Sequence, residues 1–273
     1  MRRAFKAELT YLIPIFTSLL FGVLCSLLLL TSSAETYMII PFPEGGVGSL
    51  GNAVYFITLV GVGAFLLYAL VMRKSPKLLT LIIAFALAIT MFMLCHIYLS
   101  RMLSRFPILH IDTIISVLSL LTTITACFIV LRVQSRFCNL IILCLGGALG
   151  AFLAASIPTL STIMILCFLI VYDVFAVYYG PVGKIALKGL DKLRGLSFSF
   201  RNVQMGLGDL VFYSMLSGHM LLRFNVISCV ASIVGIMLGC FLSLRILEKK
   251  GIFPGLPLPI TFGLTASFLA FSI

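Results

Sequence analysis

Residues 159–180 read TLSTIMILCFLIVYDVFAVYYG, a run whose one charged side chain is Asp173. A bilayer core about 30 Å thick is crossed by about 20 apolar residues in a helix. The stretch therefore reads as a transmembrane helix that carries a carboxylate inside the membrane. It does not suit a barrel strand, because such strands alternate in polarity over about ten residues and this run is apolar on every face. A carboxylate at that depth costs about 2.5 to 3.5 kcal/mol even on the lenient insertion scale, and residues of this kind usually carry function.

Outward from this run the same pattern repeats. Apolar stretches cover 9–31, 53–72, 78–100, 113–131, 138–156, 159–180, 202–222, 224–244 and 254–273, which makes nine. The chain has 273 residues, 62% of them hydrophobic and 10% charged, where a soluble domain carries about a quarter charged residues. An ordinary soluble enzyme is excluded. The fold class expected is all-α, a polytopic membrane protein with nine transmembrane helices in a single membrane domain spanning 1–273. Within it, 1–156 holds the first five spans as a scaffold and 157–273 holds the last four. The basic start, apolar run and Ser32-Ser33-Ala34 stretch of the first span imitate a secretory signal. Its apolar length is long for one, so it is read as a membrane helix.

Two connections are longer than the rest. The 32–52 segment holds Pro41, Pro43, Gly45, Gly46, Gly48 and Gly51 and is expected to be an irregular or re-entrant surface loop. The 181–201 segment holds Lys184, Lys188, Lys192, Arg194, Arg201 and Asp191. It is expected to lie as a polar or amphipathic strip against anionic lipid headgroups.

The net charge is +11, from 19 basic and 8 acidic residues. In a soluble protein that would suggest nucleic acid, but the placement argues for topology. Arg2, Arg3, Lys6, Arg73, Lys74, Lys77, Arg132 and Arg136 fall on alternate connections. The basic residues of 181–201 and Arg245, Lys249 and Lys250 fall on the same side, against Arg101, Arg105 and Arg223 on the other. The positive-inside rule then places the amino terminus in the cytoplasm and, with nine spans, the carboxyl terminus outside. The expected location is the cell membrane, with no nucleic-acid partner. Cys25, Cys95, Cys127, Cys138, Cys144, Cys167, Cys229 and Cys240 form no CxxC or Cys/His cluster, so no metal is expected. Gly146 with Gly150 and Gly235 with Gly239 are spaced for close helix approach. Gly146 to Gly150 superficially looks like a phosphate-binding loop, but no strand precedes it.

Of the acidic residues, Glu8, Glu35, Glu44, Asp112, Asp191 and Glu248 sit in termini, loops or span edges, and Asp173 and Asp209 alone lie within spans. Asp173 precedes Lys184 by eleven residues, and Asp209 follows Arg201 by eight on the next, antiparallel span. At a rise of 1.5 Å per residue each lies roughly 10 Å inside the same boundary. Two consecutive helices can thus set two carboxyls side by side, where they cannot both ionise easily and tend to share a proton. Aspartic proteases use such a pair, one carboxyl taking a proton from water while its neutral partner polarises the carbonyl. Proton and cation transporters also bury carboxyl pairs, so the pair by itself fits transport and catalysis alike.

The surrounding motifs are more specific. Tyr172-Asp173 lies near the end of the sixth span, Gly206-Leu207-Gly208-Asp209 opens the seventh, and Pro254-Gly255-Leu256-Pro257 begins the ninth. Phe212-Tyr213-Ser214 and Ile260-Thr261-Phe262-Gly263-Leu264 follow the last two. In these residues the chain resembles the presenilin and signal peptide peptidase family of intramembrane aspartyl proteases, whose signatures are YD, GxGD and PAL. It looks most like the presenilin branch and its microbial, archaeal-type members. One departure is Gly255, which stands where the family has alanine.

The resemblance implies an intramembrane aspartyl endopeptidase in which Asp173 and Asp209 activate water, with no cofactor or metal. It implies transmembrane helical proteins as substrates, with external amino termini; membrane lipids are the other expected partner, and a homo-oligomer is left open. Tyr172, Gly206, Leu207, Gly208, Tyr213, Pro254, Gly255, Leu256 and Pro257 are the residues expected to bind substrate or support the pair. Because the 181–201 connection is short, the enzyme is expected to work as a single uncut chain. An ion channel or proton-coupled transporter remains the other reading of the pair. Physically, Gly206 and Gly208 lack a Cβ and permit close approach or unusual backbone angles beside Asp209. Pro254, Pro257 and Pro259 lack amide donors and are expected to leave carbonyls open to an extended substrate. Tyr213, four residues past Asp209, shares its helix face and can orient the pair or simply pack. His219 lies about 15 Å along the helix from Asp209, too far to be its proton partner, and with His96 and His110 it reads as structural.

Overall fold

The computed structural model describes residues 8–31, 38–73, 76–103, 110–132, 136–180, 197–200, 203–250 and 253–272. After a short 3-10 turn at Leu9–Leu12, the helices are α1 (Ile13–Leu30), α2 (Gly46–Met72), α3 (Pro76–Leu103), α4 (Ile111–Arg132) and α5 (Arg136–Ser156). Then come α6 (Thr159–Tyr178), a hairpin of β1 (Ser197–Phe200) and β2 (Val203–Gly206), α7 (Leu207–Arg223), α8 (Val226–Lys250) and α9 (Pro257–Phe271). Among the described residues seven helices are long and apolar enough to cross a membrane. The other two, α7 and α9, have 17 and 15 residues. The chain is a multi-pass α-helical integral membrane protein, as its hydropathy predicts. The terminal basic residues Arg2, Arg3 and Lys6, Lys74, Arg105, the 184–194 basic cluster, Arg201, Glu35 and the Ser32–Ala34 stretch lie outside the described residues.

Helix α7 is the centre of the bundle. Residues 210–221 are buried without a break, the signature of a helix with no lipid or solvent face. It packs against α5, α1 and α8, while α8 and α9 form a tight pair and α6 packs chiefly on α2. In lipid, helices gain from close backbone approach, and the small residues supply it. A Cβ on Gly150 would meet Val211 O and stand 2.6 Å from Ser214 Cβ, and one on Gly147 would stand 2.6 Å from Ser18 O. On the other side, a Cβ on Gly239 would stand 2.5 Å from Pro259 Cα, and one on Gly235 would meet Phe262 O. By contrast, Phe65, Leu81, Leu120, Val171 and Leu269 are exposed apolar side chains on outward faces, as a lipid-facing surface requires.

Two buried polar side chains in this interior tie elements together. His219 is fully buried on α7, with Nδ1 3.1 Å from Ala154 O and Nε2 3.2 Å from Thr159 Oγ1. It ties α7 to the α5–α6 turn, a structural role. Asn52 donates to Phe42 O and Ser161 Oγ and accepts from Phe42 N–H.

Two elements differ from the sequence expectation. The 32–52 connection becomes helical at Gly46, and two of its glycines, Gly48 and Gly51, serve packing rather than irregularity. A Cβ on Gly48 would collide with Pro43 O, and one on Gly51 would stand 3.0 Å from the Phe42 ring. The 181–201 connection ends in strand β1, and the seventh helix starts at Leu207 instead of 202, since 203–206 pair antiparallel with 197–200 from Ser197↔Gly206 to Phe200↔Val203.

Gly150→Ala is expected to overpack the α5–α7 contact and destabilise the protein by about 1–3 kcal/mol, read as a lower unfolding temperature in detergent. Gly63→Ala, where a Cβ meets nothing within 4 Å, is expected to leave that temperature unchanged or slightly raised.

Candidate active site

Asp173 sits five residues before the end of α6, and Asp209 sits in the first turn of α7. The strand-to-helix switch at Gly206, the N-cap with φ −73° and ψ 146°, delivers Asp209 to that position. A third element joins them. Between α8 and α9 the chain runs through Phe253, Pro254, Gly255 and Leu256 without regular helix, because Pro257 and Pro259 cannot donate to a preceding turn. This proline-broken turn touches both carboxyls. The Leu256 N–H donates to Asp173 Oδ2 at 2.9 Å. On the other flank, a Cβ added to Gly255 would lie 2.8 Å from Asp209 Oδ2 and 3.0 Å from its Cγ. Asp173 and Asp209 are near enough to interact as charges, and both are only partly buried.

A cavity of about 110 Å³ opens beside Asp209, lined in part by Gly206, Tyr213, Cys240, Ser243, Pro254 and Gly255. That volume has room for several water molecules. The Ser243 hydroxyl is buried there with no protein partner, which suits a hydrated wall. Asp173 is not part of this lining, so the cavity reaches the pair from the α7–α8 side.

The remaining residues singled out from sequence distribute unevenly. Tyr213 is buried and donates from its hydroxyl to Gly255 O at 2.8 Å. Pro254 lines the cavity, and Pro257 opens α9. Leu207 is buried against Gly146 of α5 and is a packing anchor. Tyr172 leans on α2, its ring 3.7 Å from a Cβ placed on Gly61.

Two physical expectations are corrected. Gly206 and Gly208 are neither crowded nor in the left-handed region, their nearest neighbours to an added Cβ lying 3.9 Å away; Gly255 is the glycine whose missing Cβ makes room for a carboxyl. Three carbonyls at the proline-broken turn and the start of α9 are not left open either. Gly255 O accepts from Tyr213, Leu256 O from the Ile260 N–H and Pro257 O from Thr261 Oγ1. Cys240, Ser243, Leu244 and Leu247 of α8 line the cavity and escaped sequence reasoning, since they belong to an ordinary apolar span. Among the described residues no three His, Cys, Asp or Glu side chains converge as a metal site would need.

Fold and site together define a multi-pass helical membrane protein with two intramembrane carboxyls gathered at one proline-broken turn. Residues 184–273, which contain Gly206–Asp209 and Pro254–Pro257, match the Presenilin family model. No curated protein matches the chain by sequence. Two solved structures of a presenilin family intramembrane aspartate protease share the fold. The structure in space group P2 aligns with a TM-score of 0.70 at 18% identity, covering 98% of this chain and 99% of that one. The structure in C222 aligns with a TM-score of 0.68 at 18% identity, covering 96% and 98%.

Asp173→Ala removes the acceptor of a buried amide and is expected to cost about 1–3 kcal/mol of stability, while Asp173→Asn keeps an acceptor oxygen and is expected to cost less. Thermal unfolding of the two variants side by side checks the order.

Proposed function

We propose that the chain is an intramembrane aspartyl endopeptidase that hydrolyses peptide bonds within transmembrane helices of other proteins, with Asp173 and Asp209 as its catalytic pair. The observation that carries this reading is the convergence of both carboxyls on one turn, Leu256 N–H on Asp173 and Gly255 against Asp209, beside a cavity that can hold water. The Presenilin match over 184–273 and the fold shared with presenilin family aspartate proteases support it.

In the reaction, one carboxylate takes a proton from water as its oxygen attacks the substrate carbonyl carbon, and the protonated partner donates to the carbonyl oxygen. A neutral gem-diol results. Collapse of the diol breaks the C–N bond, the leaving nitrogen takes up the proton first drawn from water, and a diol hydroxyl returns a proton to the pair. The products are a carboxylic acid and an amine. No covalent intermediate, metal or cofactor is required. A helix hides its amides in internal hydrogen bonds, so local unwinding precedes attack. Helix α6 touches α7 and α9 only lightly, and a substrate helix would enter beside it.

The first five spans, 1–156, serve as scaffold, and 157–273 carry the chemistry. The distribution of basic residues supports a cytoplasmic amino terminus in the cell membrane and substrates with external amino termini. Lipid headgroups are the natural neighbours of the basic 184–194 residues. Tyr213, Gly206, Gly208 and the 254–257 turn support the pair, Tyr172 and Leu207 more remotely. The chain works uncut, alone or as a homo-oligomer.

Purified protein offered a fluorogenic transmembrane peptide is expected to cleave it, and Asp173→Ala and Asp209→Ala are each expected to lower the rate by about 10²–10⁴-fold. Ion flux in liposomes without cleavage of any offered helix would sink this reading in favour of a channel or transporter.

Gly255→Ala is expected to push the Asp209 carboxyl aside and slow cleavage by about tenfold or more, although it restores the residue the resembled family carries. An unchanged or faster rate in the same assay would show that the carboxyl tolerates the methyl group.

A further inference from the structure

The peptide unit between Gly255 and Leu256 is engaged at both ends. Its carbonyl oxygen accepts the Tyr213 hydroxyl at 2.8 Å, and its N–H donates to Asp173 Oδ2 at 2.9 Å. Tyr213 stands on α7 one turn past Asp209, yet the hydrogen bonds lead from it to the other aspartate. Regular helix would offer the Gly255 carbonyl the amide four residues on, but that residue is Pro259, which has no N–H. The next carbonyl, that of Leu256, does find its helical partner in the Ile260 N–H. Pro259 thus creates a need for a donor at Gly255 O, and the fully buried Tyr213 meets it.

A hydrogen bond to a peptide oxygen polarises the unit and strengthens the N–H at its far side as a donor. We infer that Tyr213 is a positioning residue for Asp173, acting through the Gly255–Leu256 peptide. It fixes the height of the turn against α7, and the turn fixes the carboxyl of α6. This matters because α6 has little direct packing on α7, so the register between the two carboxyls depends on a bridge rather than on a helix interface. The inference rests on the endopeptidase reading for its kinetic consequence and on geometry alone for the coupling.

The experiment is a double-mutant cycle with Tyr213→Phe and Asp173→Asn, read two ways. In cleavage of the fluorogenic transmembrane peptide, Tyr213→Phe is expected to lower kcat about tenfold with KM within about twofold. In binding of a hydroxyl-bearing transition-state isostere, each single variant is expected to weaken affinity. The double variant is expected to weaken it by less than the product of the two, because residues joined in one network are not additive. Full wild-type kcat in Tyr213→Phe overturns the proposal. So do additive effects in the cycle, the result of a merely structural role. If wild-type protein neither cleaves a helix nor binds the isostere, the endopeptidase reading fails. The same cycle measured by thermal unfolding then decides the tyrosine: non-additive shifts support the bridge and additive shifts refute it.

Discussion

The hydrogen bond from the Leu256 N–H to Asp173 Oδ2, 2.9 Å long, is the constraint on which the site depends. Helix α6 and the central helix α7 carry one aspartate each, but they share little surface. Packing fixes α7 rigidly: it is buried on nearly every side, and glycines of α5 let the two backbones approach within contact distance. Nothing comparable holds α6, which leans on α2. The turn at 254–256 closes the gap by bonding to Asp173 while lying flush against Asp209. Its place is fixed in turn by the tight α8–α9 pair, where Gly235 and Gly239 admit the backbone of the ninth helix. Small residues far from the carboxyls therefore set the distance between them.

The nine helices among the described residues, and their order, were legible because a membrane imposes the pattern: apolar runs of fixed length, separated by polar breaks. The two carboxyls were legible for the same reason, since hydrocarbon makes an acid conspicuous. What hydropathy could not convey is how backbone groups are satisfied. The glycines at 46, 48 and 51 read as loop residues, yet Gly48 and Gly51 are helical because the 42–43 segment lies across them. The prolines at 254–259 read as a source of open carbonyls, yet Tyr213, Ile260 and Thr261 occupy those at 255, 256 and 257. Both depend on partners distant in sequence, which a local pattern does not contain.

The hairpin at 197–206 was missed on similar grounds. Residues Ser197 to Phe200 and Val203 to Gly206 are too short to register as a periodic pattern, and their pairing is visible only as register. The cavity wall contributed by Cys240, Ser243, Leu244 and Leu247 had no signal at all, because a span that faces a small hydrated space differs from one that faces lipid by a single hydroxyl. The glycines of the GLGD motif show the converse. They adjoin Asp209 in sequence, but neither is crowded by the carboxyl, and the steric argument belongs to Gly255.

The placement of the two carboxyls also follows a common electrostatic rule. Unpaired N–H groups at a helix start carry partial positive charge, which stabilises a nearby anion by about 0.3–1 kcal/mol and more where partly buried. Asp209 lies in the first turn of α7, so its own helix supplies that field. Asp173 lies near the end of α6, where its own helix opposes a negative charge. It is served instead by α9, whose N-cap residue is Leu256, the donor to its carboxyl. Each carboxyl thus faces the start of a helix, one by position in sequence and the other through a tertiary contact. That explains why the ninth helix must begin where it does. Were the helix to begin several residues earlier, the Leu256 amide would be drawn into the i→i−4 ladder, whereas at the helix start it is one of the unpaired N–H groups and is free to donate to Asp173. The prolines that shorten α9 to 15 residues are therefore part of the electrostatics of the site as much as of its shape.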